Sequence, residues 1–256
     1  MQKKPGNRPE YLVPALFSGF SNLVAVQSLR TGGTSLPPYD SLNFGAATGD
    51  NPALINNNIA LLCEALAIEP RQLAWSDQVH GTSILEVSAP GAYHGYDALI
   101  TRVTNIYLSV FTADCYPVLI FDPVQLAVGS VHAGWKGTSG EIVMKTVALM
   151  QRRFNTLPAH CLAYIGTGIS QRAYEVSRDT SQQFPESCSI ASPKGDNTFL
   201  LDLAQANHDQ LLASGISAMN IERSPFCTFD NADLFFSYRR DAGKTGRMIS
   251  LTGIRG

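Results

Sequence analysis

Apolar residues recur along this chain in two rhythms. The runs Tyr107–Phe111, Pro117–Phe121 and Leu126–His132 are short and β-rich, which suits strands of a sheet covered by helices. Elsewhere the spacing changes. Ile55, Ile59, Leu62 and Leu66 recur at intervals of 4, 3 and 4, and Pro52 stands where a first-turn proline is tolerated, so a helix with a buried stripe is predicted there. A second helix is predicted to begin near Thr138, because Thr138-Ser-Gly-Glu141 has capping-box spacing and Val143, Val147, Met150 and Phe154 follow on one face. A third runs from an acidic cap at Asp202 to Gly215, a residue suited to a left-handed C-terminal conformation. Strand and helix patterns alternate without an internal repeat, low-complexity run or long linker. This predicts a single α/β domain over residues 11–256 behind a flexible tail of residues 1–10.

Composition narrows the possible partners. In 256 residues there are 19 Lys+Arg and 21 Asp+Glu, a formal charge of −2, so no basic footprint for nucleic acid or an anionic membrane is expected. The opening segment is broken by Pro14 and does not read as a secretory signal. No run of about 18 apolar residues occurs, since Asp114 interrupts the most hydrophobic region, Ile106–Phe121. A cytoplasmic location follows as the expectation. The five cysteines (63, 115, 161, 188 and 227) are odd in number and never spaced Cys-x-x-Cys, so most are expected to be reduced, buried and inert.

Candidate chemistry begins at the turn His132-Ala-Gly-Trp-Lys-Gly-Thr138, between a predicted strand and a predicted helix N-terminus. Gly134 and Gly137 leave backbone N–H groups open beside the positive end of a helix dipole and Lys136 adds charge, so the turn suits an anion, phosphate above all. A tight turn with a solvated lysine is the plainer reading of the same segment. Walker, dinucleotide-fold, His-Glu-x-x-His and Gly-x-Ser-x-Gly motifs are absent. Cys115, His132 and His80 lie 17 and 35 residues apart around Cys115, gaps that suit convergence of separate loops. Two imidazoles and a thiolate would make an open zinc site with Asp114 orienting a ligand, although a packed Cys and hydrogen-bonded His residues would explain each alone. His94, His160 and His208 read as surface or hydrogen-bonding groups. Arg239, Arg240 and Arg247 are forked donors beside aromatic residues, suited to phosphate or carboxylate, with pairing to Asp241 as the ordinary alternative.

Four segments in order, Asp77-Gln-Val-His-Gly81, Thr112-Ala-Asp-Cys-Tyr-Pro-Val118, Val131–Thr138 and Phe235–Arg240 with Thr245-Gly-Arg247, resemble the YfiH-like, laccase-domain family. The likeness spans nearly the whole chain, from Pro38–Gly45 through Asp97–Thr101 to the C-terminus. It implies an α/β sandwich of mixed β-sheet layers covered by helices. It also implies zinc held by His80, Cys115 and His132, which are also the expected catalytic residues. The expected substrate contacts are Asn43, Gln78, Lys136 and Arg239. Lys136 stands where the family has Arg, which keeps the charge and loses the guanidinium fork. The implied activity is phosphorolysis of purine nucleosides, namely adenosine, inosine, guanosine and methylthioadenosine, with adenosine deamination.

Two competing readings remain. The first is the copper polyphenol oxidase of the family's older name; a four-copper laccase needs on the order of ten imidazoles, and this chain has five histidines. The second is a metal-free amide hydrolase acting on cell-wall precursors, with Cys115 as nucleophile and His132 as base.

Overall fold

The computed structural model describes residues 8–195 and 197–256. In chain order the elements begin with β1 (Tyr11–Leu12), β2 (Leu23–Ser28), α1 (Pro52–Ala65), β3 (Leu73–Ser76), β4 (Ile84–Glu86), β5 (Gly91–Tyr93) and β6 (Ala98–Thr101). Then come β7 (Tyr107–Thr112), β8 (Tyr116–Asp122), β9 (Ala127–Ala133), α2 (Trp135–Ser139), α3 (Ile142–Phe154) and β10 (Leu162–Ile165). The chain closes with β11 (Glu175–Ser177), α4 (Arg178–Ser181), β12 (Ser189–Ala191), β13 (Thr198–Leu201), α5 (Leu203–Ala213), β14 (Ile221–Arg223) and β15 (Met248–Ile254).

Two six-stranded mixed sheets, ordered β1-β2-β15-β7-β3-β5 and β14-β10-β8-β9-β6-β4, carry the fold, and β11-β13-β12 form a small third sheet. The alternation of side chains along each strand assigns the layers. Ala25, Leu108 and Ile254 of the first sheet pack against Leu99, Leu119, Phe121 and Val128 of the second, so these faces meet in a shared core. The opposite face of the first sheet, with Val24, Val26 and Leu251, is covered by Leu62, Cys63 and Leu66 at α1. That of the second, with Val118, Ile120 and Val131, is covered by Val143, Val147 and Met150 of α3 and by Leu203 and Leu211 of α5. The expected helix-covered sandwich of mixed sheets is what the chain forms. A direct polar tie joins the layers as well: Gln27 on β2 donates to the Thr167 carbonyl and accepts from its N–H.

The three predicted strands are β7, β8 and β9, and the first and third predicted helices are α1 and α5. Asn51 caps α1, its side chain accepting from the N–H of Ala53. Asp202 caps α5 by accepting from Gln205, and Gly215 beyond its end has φ +93°. The second helix differs from expectation. Thr138 belongs to the short α2, and α3 starts only at Ile142, after Glu141 takes φ +62°. The capping box fails because the Thr138 hydroxyl is used elsewhere, approaching Asn207 Oδ1 at 3.3 Å, and does not reach Glu141.

Of the expected tail, residues 1–7 lie outside the described residues, while Pro9 is buried and the Glu10 carbonyl accepts from Leu29 N–H at 2.8 Å. Among the described residues no helix is long and apolar enough to cross a membrane.

Because the inter-sheet core carries the fold, Leu119→Ala, at a fully buried site, is expected to cost about 2–5 kcal/mol in urea unfolding. Val124→Ala, at a side chain 58% exposed, should stay within about 0.5 kcal/mol. Equal losses would contradict this placement of the core.

Candidate metal centre

The chain passes from the first sheet to the second between β3 and β4 and again between β7 and β8. His80 lies in the first of these passages and Cys115 in the second. His132 is the penultimate residue of β9 and shares a strand face with Val128, so its ring points between the sheets. The potential ligand atoms of the three side chains all lie within 4.8 Å of one another. Four-coordinate zinc, with bonds of about 2.0–2.3 Å, spaces neighbouring donors by roughly 3.5 Å, so the trio needs only a small closure to hold it. His132 is buried, Cys115 half-buried and His80 exposed, which leaves one side of the cluster open to a further ligand. The donor set, two imidazoles and a thiolate, suits zinc.

The local backbone is shaped for this meeting. Gln78 at φ +35°, His80 at +59° and Asp114 at +85° occupy a region that side-chain-bearing residues rarely adopt, at a cost on the order of 1–3 kcal/mol each. Polar bonds hold them there. The Gln78 side chain donates to the Phe111 carbonyl at 2.8 Å and accepts from its N–H at 2.7 Å. The Asp114 carboxylate accepts from the Thr228 hydroxyl at 2.6 Å and from Arg239 N–H at 2.7 Å. Gly134 packs directly on the cluster: a Cβ there would stand 3.0 Å from Cys115 Sγ and 3.1 Å from His80 Cδ2. The N-terminus of α2 therefore adjoins the three potential donors.

The carboxylate that orients His132 is Asp97, not Asp114 as the sequence suggests. Asp97 Oδ1 lies 2.8 Å from His132 Nδ1, and it also accepts the N–H of His80 at 2.9 Å. Oδ2 accepts from Val79 and Gly81 at 3.2 and 2.7 Å. Burial raises the Asp97 pKa, but His132 and these N–H donors outweigh it and hold the carboxyl below its usual value. An ionised carboxylate only accepts, so Nδ1 of His132 carries the proton and Nε2 is the nitrogen free for a metal.

Electrostatics single out Cys115 among the thiols. Burial works to raise its pKa, but the charge of His132 and the hydrogen-bonding reach of both imidazoles outweigh burial and bring it down to about 6. His132 moves oppositely: burial depresses it, while Cys115 and Asp97 together raise it to about 9. Burial alone pushes Cys63 up to about 11, and burial with nearby Asp122 takes Cys161 to about 12, the inert behaviour expected of packed thiols.

The other expected residues separate into two groups. Asn43 is fully buried and uses its amide on Thr48, Asp50, Gly45 N–H and Arg247 N–H; Gln78 is spent on Phe111. Both shape the loops around the cluster. Arg239 lies 5.2 Å over the Tyr174 ring and donates to the Glu175 carbonyl. Exposed Lys136 sits 5.5 Å over its neighbour Trp135. Arg240 pairs with Asp241 and donates to three backbone carbonyls, a structural role. Arg247, half-buried and 5.5 Å over the Tyr238 ring, lies within electrostatic reach of Cys115 and Asp114, as Tyr174 does. His94 pairs with Asp77 on the surface. Sequence reasoning missed Asp97 and Tyr174, because neither has a spacing that announces its partner.

Comparison with known proteins places the chain in a wider group. The family described as multi-copper polyphenol oxidoreductase laccase matches residues 24–255. A Deinococcus radiodurans protein named purine nucleoside phosphorylase is 38% identical, covering 88% of this chain and 87% of its own. The Escherichia coli purine nucleoside phosphorylase YfiH is 36% identical, with 89% and 92% covered. The crystal structure of YlmD from Geobacillus stearothermophilus superposes with a TM-score of 0.90 at 34% identity, covering 100% of this chain and 98% of that one.

Proposed function

The chain belongs to the multi-copper polyphenol oxidoreductase laccase family, and from that premise we propose that it is a zinc-dependent purine nucleoside phosphorylase that also deaminates adenosine. The observation that carries this reading is the His80, Cys115 and His132 cluster, open on one side and flanked by cationic groups. His80, Cys115 and His132 would hold the ion, which when bound supplies a Lewis acid able to lower the pKa of water to about 7.

The chain's own residues serve the phosphate. Phosphorolysis brings a multiply charged nucleophile to a nucleoside and needs that charge held in place. Arg247 lies within electrostatic reach of Cys115, Arg239 is stacked on Tyr174, which is also within that reach, and the Gly134–Thr138 turn brings the start of α2 against Cys115 and His80. Phosphate docks at this turn facing Arg247, with Lys136 contributing charge from the surface. Tyr174 and Tyr238, already stacked with arginines, offer aromatic faces to a purine.

Incubation with adenosine, with and without phosphate, tests the reading chromatographically. Adenine should form only with phosphate, and inosine without it. Failure of both reactions in zinc-loaded protein overturns the proposal. Arg247→Met should raise the KM for phosphate by about tenfold or more, the worth of a charge-assisted contact, and Lys136→Met should raise it less. Deamination and zinc content should be largely spared in both variants. An equal loss of both reactions would move the phosphate elsewhere.

The alternatives fare differently. Among the described residues one such donor cluster occurs, far short of the imidazoles that four coppers need. The thiol hydrolase reading draws support from the Cys115, His132, Asp97 alignment. Full amide hydrolysis by chelated, metal-free protein would favour it.

A further inference from the structure

Asp97 immediately precedes β6 of the second sheet, yet it touches both histidines of the cluster through one carboxylate. Oδ1 is shared between the ring of His132 and the backbone N–H of His80, and Oδ2 gathers the N–H groups of Val79 and Gly81. The segment carrying His80 thus closes around an acceptor it does not itself supply. The backbone of Asp97 adds a second hold on His132, whose N–H donates to the Asp97 carbonyl at 2.7 Å. Val79 is 57% exposed and His80 is also exposed, so little apolar packing fixes this segment. The N–H groups of residues 79, 80 and 81 all donate to this one carboxylate, and the His80 ring meets that of His132 edge-on with centroids 4.7 Å apart.

We propose that Asp97 is a positioning residue that couples the two histidine ligands, setting the 79–81 backbone and the His132 ring as one unit. The inference rests on the metal reading of the cluster. It requires that loosening either ligand be felt at the other, because both hang on Oδ1. Asparagine is the informative replacement: its NH2 group cannot accept, so either the His132 ring or the 79–81 N–H groups must lose a partner.

The test compares wild type and Asp97→Asn by zinc affinity from chelator competition, the absorption spectrum of the cobalt-substituted protein, and amide exchange at residues 79–81. Asp97→Asn should weaken zinc binding by about 10–100-fold, alter the cobalt spectrum and speed exchange at residues 79–81. Should that variant fail to fold, metal-free His132→Ala keeps the inference testable, since removing the ring from Oδ1 should also speed exchange at residues 79–81. Unchanged zinc affinity and cobalt spectrum in folded Asp97→Asn, or unchanged exchange in His132→Ala, overturns the coupling. Failure of the wild-type protein to bind zinc overturns the metal reading instead, and the metal-free exchange comparison still decides the coupling.

Discussion

Cys115→Ala is expected to lose the bound zinc and to lower adenosine deamination by on the order of 10³-fold or more. The size follows from the role of the ion. A Lewis acid contributes several kcal/mol to such a reaction, and each 1.36 kcal/mol is about tenfold in rate. Cys115 is also the anionic donor of the three, with its thiol held at about 6 where packed thiols in this chain rise to about 11 or 12. Cys161→Ala serves as the control: a buried thiol in the layer between β10 and the helices, it should leave zinc content unchanged. Elemental analysis showing one zinc per chain in Cys115→Ala would remove this cysteine from the centre.

Zinc affinity should rise about tenfold per pH unit between pH 7 and 9. In the metal-free protein Cys115, lowered to about 6, is already a thiolate in this window, whereas His132, raised to about 9, still carries a second ring proton. The ion needs Nε2 unprotonated, so binding must expel one proton, and proton competition weakens as pH climbs towards the His132 value. Above about 9 the dependence should flatten. Calorimetry in buffers of different ionisation enthalpy reads the proton count directly. A count near zero at pH 8 would mean that His132 is neutral before the ion arrives.

The meeting of His80, Cys115 and His132 was legible because the three sit in distinctive segments whose order along the chain is itself informative. The supporting contacts were not, and the reason is physical. Asp114 was the expected orienting group because it adjoins Cys115, but at φ +85° its carboxylate turns to Thr228 and Arg239. Asp97 takes the role through β6–β9 pairing, which sets its carbonyl against His132 N–H across 35 residues of sequence, and no local pattern encodes that register. The helices show the same division. α1 and α5 follow their periodicity and caps because their partners lie within a turn, while the capping box at Thr138 yields to Asn207, a residue 69 positions away. Asn43 and Gln78 resemble substrate-reaching amides in the sequence, yet folding engages both with the backbone beside the site.

Two of the three donors sit where the chain crosses between sheets, and the third lies at the end of an inward-facing strand. An ion shared by them would act as a rivet at the rim of the sandwich. At free zinc a hundred times its dissociation constant, mass action would add about 2.7 kcal/mol to the stability of the folded chain. Metal supply would then govern the survival of the protein as well as its chemistry, and a cell short of zinc would lose molecules along with turnover.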